Sequence, residues 1–157
     1  IIEATLDLMA KRALKIDKSA NDEFTITFHD SCNVARATRM GDFPGGQFEL
    51  PRRLIKSVAN KYVDMDRNTI MERTFCCGGG GGLLTDDIID VRVQGAMPRM
   101  QALQKVRESH GVNYMALICA ICKAQFTKVL PKYGIPVETA GGILQLVGRA
   151  IQLGEKE

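Results

Sequence analysis

With 157 residues and a formal charge of +3, the chain can bury one core without disulfide support and is too weakly basic to argue for nucleic acid. Apolar residues make up 45% and charged residues 25%, the proportions of an ordinary globular domain. No stretch approaches the roughly 18 consecutive apolar residues that read as a membrane span, and Glu3 and Asp7 interrupt the apolar start where a signal peptide would need continuity.

The chain opens at Ile1 rather than Met, within a helical pattern, so residues 1–157 are expected to form a single domain belonging to the C-terminal part of a longer polypeptide. Leu6 to Ile16 suits a helix, with Leu8, Met9 and Leu14 apolar and Lys11, Arg12 and Lys15 on other faces. Phe24 to Phe28 alternates large apolar residues with threonine and predicts a strand, which leads into His29-Asp30-Ser31-Cys32. Gly41, Pro44, Gly45 and Gly46 mark Gly41 to Leu50 as a loop, and Pro51 suits the first turn of a helix running to about Lys61. Tyr62 to Met65 reads as a short strand, and Met71 to Phe75 as an extended segment ending at Cys76-Cys77.

Thr85, Asp86 and Asp87 place a hydroxyl cap and early acids at a helix start. That helix is expected to reach about Ser109, adjusted around Pro98, with Gly111 as its stop. Tyr114 to Ile118 is apolar throughout and predicts a buried strand followed directly by Cys119. A helix from Ala120 to Leu130 ends at Pro131 and Gly134, Ile135 to Glu138 is strand-like, and Gly142 to Leu153 is a last amphipathic helix. The alternation predicts an α/β fold: a parallel, Rossmann-like sheet with helices on both faces and the cysteine loops at the C-terminal edge of the strands.

All five cysteines, Cys32, Cys76, Cys77, Cys119 and Cys122, follow strand-like segments and are expected to meet at that edge. Five is odd, and without a secretory signal a disulfide framework is disfavoured. Three other readings stay open on the residues. Free cysteines can act as small core hydrophobes, but those would scatter. Zinc needs four tetrahedral ligands; only Cys119-Ala-Ile-Cys122 has the usual knuckle form, and the adjacent Cys76-Cys77 pair diverges. A thiol–disulfide oxidoreductase site at Cys119 and Cys122 suits a strand-to-helix junction, yet leaves three cysteines unexplained. The glycines from Gly78 to Gly82 add weight to an iron–sulfur core. Gly78, Gly79 and Gly80 can bring backbone N–H groups against anionic sulfur, and no Lys-Ser/Thr follows to make a nucleotide phosphate loop.

From about Phe24 to Val147 the chain resembles the cysteine-rich CCG domains of heterodisulfide reductase catalytic subunits and their relatives. The resemblance rests on Cys32, then Cys76-Cys77-Gly78, then Cys119-x-x-Cys122, with His29-Asp-Ser-Cys32 similar to the family's His-Asp-Pro-Cys lead-in. Ser31 stands in place of that proline, and Ala120 replaces the proline often found in the last motif. Within the family, Cys32-Asn-Val-Ala-Arg and Ile118-Cys-Ala-Ile-Cys-Lys-Ala-Gln are most similar to DsrK-type subunits of membrane-bound sulfite-reduction complexes.

The resemblance implies a noncubane [4Fe–4S] cluster on the five cysteines. It further implies electrons from membrane quinol-linked redox subunits, and a disulfide or trisulfide substrate on a small sulfur-carrier protein (DsrC-like). The location implied is the cytoplasmic face of the membrane, held there by partner subunits. Alternatively, relatives of this kind serve hydroxy-acid or glycerol-phosphate oxidation as electron-transfer subunits. His29 is the candidate proton donor to a leaving thiolate. Arg36, Arg39 and Lys123 follow ligand cysteines and could offset thiolate charge, whereas Met97, Met100 and Met115 read as core, Asp30 as a loop cap and His110 as a helix-end residue.

Overall fold

Tyr114 to Leu117 is apolar at every position, and a strand with no polar side must be covered on both faces. The computed structural model, which describes residues 1–38 and 47–152, shows that cover. Its helices and strands run α1 (Ile2–Ala10), β1 (Ile26–Phe28), α2 (Glu49–Val58), α3 (Ile89–His110), β2 (Tyr114–Leu117), α4 (Ala120–Val129), β3 (Ala140–Gly142) and α5 (Ile143–Ala150). The sheet order is β1-β2-β3, parallel throughout, with Ile26 opposite Tyr114 and Ala116 opposite Gly141.

Side-chain parity along β2 divides the core. Tyr114 and Ala116 point with Ile26 and Phe28 into a cluster built with Leu54, Ile55 and Val58 of α2 and Leu146 and Val147 of α5. Ile2 of α1 closes the same face. Met115 and Leu117 point the other way, onto Met100 and Leu103 of α3 and Phe126 and Val129 of α4. Because all three strands are parallel, His29 after β1, Cys119 after β2 and Gly142 ending β3 share one edge.

Several expected elements change. The first helix lies earlier, at Ile2–Ala10, because Arg12 adopts φ +57° and turns the chain toward Ile16, which bridges Ile151. The second stops at Val58, short of Lys61. The Lys61 carbonyl accepts from Ile26 N at 3.0 Å and Val63 N donates to Ile26 O at 2.9 Å, which requires extended backbone there. Tyr62 to Met65 is thus a single parallel bridge, Tyr62 to Ile26. Met71 to Phe75 is not an extended segment: Met71–Arg73 is a 3-10 turn, with Met71 at φ +55°.

The last strand is Ala140–Gly142 rather than Ile135 to Glu138, where Pro136 leads into the turn Val137–Thr139. Gly141 permits that strand to sit beside Tyr114. A Cβ there would stand 2.0 Å from the tyrosine oxygen, which donates to Gly142 O at 3.0 Å. The Thr85 cap holds as expected, leading through Asp86–Ile88 into a helix that runs unbroken past Pro98 to Gly111 at φ +67°. Met97 is 47% exposed and is not core, whereas Met100 and Met115 are fully buried. The glycine-proline part of the expected Gly41 to Leu50 loop, Arg39, Leu153 and the 155–157 tail lie outside the described residues.

Candidate metal centre

Three loops carry the five thiols to the strand edge. The first leaves β1 and holds His29 and Cys32; the second holds Cys76-Cys77 and the glycines ahead of α3; the third places Cys119 as the N-cap of α4 and Cys122 in its first turn. Cys77 and Cys122 are buried, Cys32 and Cys119 half-buried, and Cys76 exposed, all as free thiols. The ligand atoms of His29, Cys77 and Cys122 lie within 4.8 Å of one another.

Electrostatics tie the remaining thiols to this group. Burial pushes the Cys32 thiol up, and negative charge on Cys76 and Cys77 pushes it further, while Asn33 N–H and the Arg36 guanidinium pull it back. The Cys77 thiol is lowered by a hydrogen bond from Cys122, against burial, with His29 and Gly79 N–H helping. Cys122 is raised, because it keeps the shared proton beside Cys77 and also faces Cys119. Of the five sequence-chosen cysteines, Cys77 and Cys122 are brought together with His29, while Cys32, Cys76 and Cys119 lie within electrostatic reach of that group. Arg36 serves as the expected charge offset to Cys32; Lys123 instead donates to Gln145 Oε1 at 3.2 Å.

The glycine loop sits on α3. Gly78 has φ +83°, and a Cβ on it would meet Arg92 O at 2.5 Å and Ala96 N at 2.8 Å, so both its conformation and its packing require glycine. Gly78 N donates to Cys76 Sγ at 3.3 Å, and the Gly79 Cβ position is 3.4 Å from Cys77 Sγ. Gly80, at φ +56°, packs toward Leu83 rather than toward a thiol.

His29 is buried, edge-on to Phe126 with ring centroids 5.0 Å apart. Burial lowers its pKa, opposed by Cys77 and reinforced by Arg99. Neither ring nitrogen has a hydrogen-bond partner among the described residues, nor does Ser31 Oγ. His110 lies away from this group, against Ser109 Oγ at the end of α3.

Three buried arginines, Arg52, Arg92 and Arg99, were missed by the sequence reading. Arg52 grips Asp30 with both Nη atoms at 2.7 Å and reaches Asp64 with Nε at 3.0 Å. Asp30 is therefore a buried hub rather than a simple loop cap. It also accepts from Met71 N at 2.9 Å through Oδ2 and from Thr74 Oγ1 at 2.8 Å through its carbonyl, joining the first cysteine loop to the second. Arg99, fully buried on α3, donates to Thr74 Oγ1 at 2.8 Å and to the Thr69 carbonyl at 2.5 Å. A signal for it existed: Arg92, Ala96, Arg99, Met100 and Leu103 share one helical stripe, and all are buried.

A family model for the cysteine-rich CCG domain matches residues 26–127, a span that includes all five cysteines and His29. The chain belongs to the CCG domain family. It is 42% identical over 99% of its length to the Hdr-like menaquinol oxidoreductase iron–sulfur subunit 2 of Archaeoglobus fulgidus, and equally to the corresponding iron–sulfur subunit of Archaeoglobus profundus. It is 29% identical, over 80% of its length, to a probable membrane-anchored ferredoxin of Chromohalobacter salexigens. The chain spans 27% of the length of the two archaeal relatives. No solved structure matches it significantly.

The CCG site of this chain fits a sulfur-rich metal group on its own chemistry. Two buried thiols, Cys77 and Cys122, meet a buried imidazole, backbone N–H groups point at sulfur, and neither nitrogen of that imidazole has a hydrogen-bond partner among the described residues. Beside Cys119 and Lys123 a cavity of about 200 Å³, lined by Ile118, Ile143 and Leu144, opens the edge to solvent. Among the described residues no helix is long and apolar enough to cross a membrane.

Proposed function

We propose that this chain is the iron–sulfur redox domain of a heterodisulfide reductase-like subunit in a menaquinol-linked membrane complex. The observation that carries the reading is the buried cluster of Cys77, Cys122 and His29, with Cys32, Cys76 and Cys119 on the loops around it. The names of the archaeal relatives support the quinol-linked setting; the cytoplasmic face of a membrane, reached through partner subunits, is part of the proposal. In this reading Cys32, Cys76, Cys77, Cys119 and Cys122 hold a [4Fe–4S] group of the noncubane type, which supplies one-electron transfer at a sulfur-ligated iron.

The chain's own residues do the rest. Gly78 and Gly79 direct N–H groups at the Cys76 and Cys77 sulfurs, favouring the more negative charge state. Asp30 and Arg52 hold the first two loops in register. The exposed Cys76 and the cavity beside Cys119 define the side from which a partner's sulfur would approach. Reduction of a disulfide on a small sulfur-carrier protein of the DsrC kind takes two electrons and two protons; the quinol-side subunits supply the electrons. The two protons would come from solvent at the open edge, and His29, neutral by burial, would hydrogen-bond through its N–H to the thiolate that forms.

A second reading is electron relay without a sulfur substrate, as the ferredoxin name of the bacterial relative suggests and as relatives in hydroxy-acid or glycerol-phosphate oxidation would have it. Adding the oxidised sulfur-carrier protein to the intact protein separates the two. A change in the paramagnetic spectrum of the cluster on addition supports the sulfur reading; an unchanged spectrum together with rapid oxidation by a non-sulfur acceptor supports relay.

A further inference from the structure

Arg99 combines full burial, a guanidinium charge and no carboxylate within ion-pair distance among the described residues. Its hydrogen bonds go to neutral acceptors: Met65 Sδ at 2.7 Å, Thr69 O at 2.5 Å, Thr74 Oγ1 at 2.8 Å and Phe75 O at 3.5 Å. Nε has no partner among the described residues. Arg52 and Arg92, the other buried arginines, each meet an aspartate directly. Burial of a cation without a direct ion pair is costly, so Arg99 favours a further negative group nearby.

The residues around it show where. Arg99 sits against the ring of Phe75, 5.9 Å from its centroid, and Phe75 is the residue before Cys76. Thr74, which Arg99 grips, leads into the same loop. Asp30 attracts Arg99 through space, but its carboxylate oxygens are taken by Arg52 and Met71 N, and the Arg52 charge offsets part of that attraction. Beyond Asp30, the groups whose negative form would attract Arg99 are the Cys122 and Cys76 sulfurs, which become anionic once they hold a metal group.

We propose that Arg99 is the fixed counter-charge of the sulfur site, stabilising the electron-rich form of the group that the five cysteines hold and thereby raising its reduction potential. The inference rests on the cluster reading above. A buried positive charge favours whichever state carries the extra electron, and low polarity around it magnifies the effect. Arg99 touches no substrate; it acts through the thiolates and through the loop that presents them.

The test is a redox titration of the intact protein, following the paramagnetic signal that disappears in Cys77→Ser. Arg99→Gln keeps donors for the Thr69 carbonyl and Thr74 while removing the charge, and Arg99→Lys keeps the charge without the fork. The account expects Arg99→Gln to lower the reduced-to-oxidised ratio at a given potential at least tenfold, a shift of about 59 mV for one electron, with Arg99→Lys moving much less. Equal potentials in wild type and a loaded Arg99→Gln overturn the proposal and leave the cluster reading standing. If Arg99→Gln does not load, iron content decides: full loading by Arg99→Lys supports the charge, and failure of both overturns it in favour of a packing role. A wild-type protein whose Cys77-dependent signal is missing overturns the cluster reading and this inference with it.

Discussion

Asp30 receives Arg52 through both carboxylate oxygens, Met71 N through one of them and Thr74 Oγ1 through its backbone carbonyl, all without solvent contact. Removing one partner of a buried pair leaves the other charge stranded. Asp30→Asn should therefore cost about 3 kcal/mol in urea unfolding, at the low end for buried pairs because Asp64 stays on Arg52. Replacing both Asp30 and Arg52 by apolar residues of similar volume should cost less than either single change. His29 gives a pH signature. Burial depresses its pKa below the ordinary 6.5, so protons favour the unfolded chain. Its neutral form is fully accommodated above that pH. Stability should fall as pH drops below it, by up to about 1.4 kcal/mol per pH unit, with a shallower fall in His29→Gln. Cys32 and Cys119 were legible because each follows an apolar, strand-like run, whereas Cys76-Cys77 follows a 3-10 turn that the sequence suggested was extended. The buried arginines were not, because charge inside a helical pattern ordinarily marks the solvent face; only for Arg92 and Arg99 does spacing with Ala96, Met100 and Leu103 betray burial.

At the scale of elements, the second cysteine loop depends on how closely it can lie on α3 and α4. Arg92 Nε donates to Gln125 Oε1 at 2.8 Å and Gln125 Nε2 returns a bond to Arg92 O at 3.3 Å, locking the two helices where Gly78 rests. Gly78→Ala would drive a methyl into helix backbone at a positive φ, so it should cost well over 1 kcal/mol and lower iron content. Gly81→Ala, at φ +71° with open space around its Cβ, should cost only the conformational strain, about 1–2 kcal/mol, and keep its iron. Iron analysis of the two variants checks the contrast; equal loss in both would mean that loop flexibility, not contact with α3, is what matters. β2 and α4 were readable from long apolar runs and flanking glycine or proline. β3 was not, since Ala140-Gly141-Gly142 carries no strand-forming side chain and owes its place to the ring of Tyr114. The bridge at Tyr62 was overread for the opposite reason: its side chains suit a strand, but only one pair meets Ile26.

For the molecule as a whole, three parallel strands covered on both faces leave one edge open, and chemistry collects there. The alternation of patterns in the sequence placed Cys32 and Cys119 after strands that end at that edge, and the CCG motif pointed to an iron–sulfur group. Which partner approaches the edge is a property of surfaces and subunits beyond those residues. The account turns on one group held jointly by thiols from all three loops. Iron and acid-labile sulfide measured in the intact protein and in a Cys77→Ser, Cys122→Ser variant test this most directly. The account predicts that the variant loses about four irons and about four sulfides per chain. Loss of a single zinc with no sulfide, or no loss of metal at all, would contradict it.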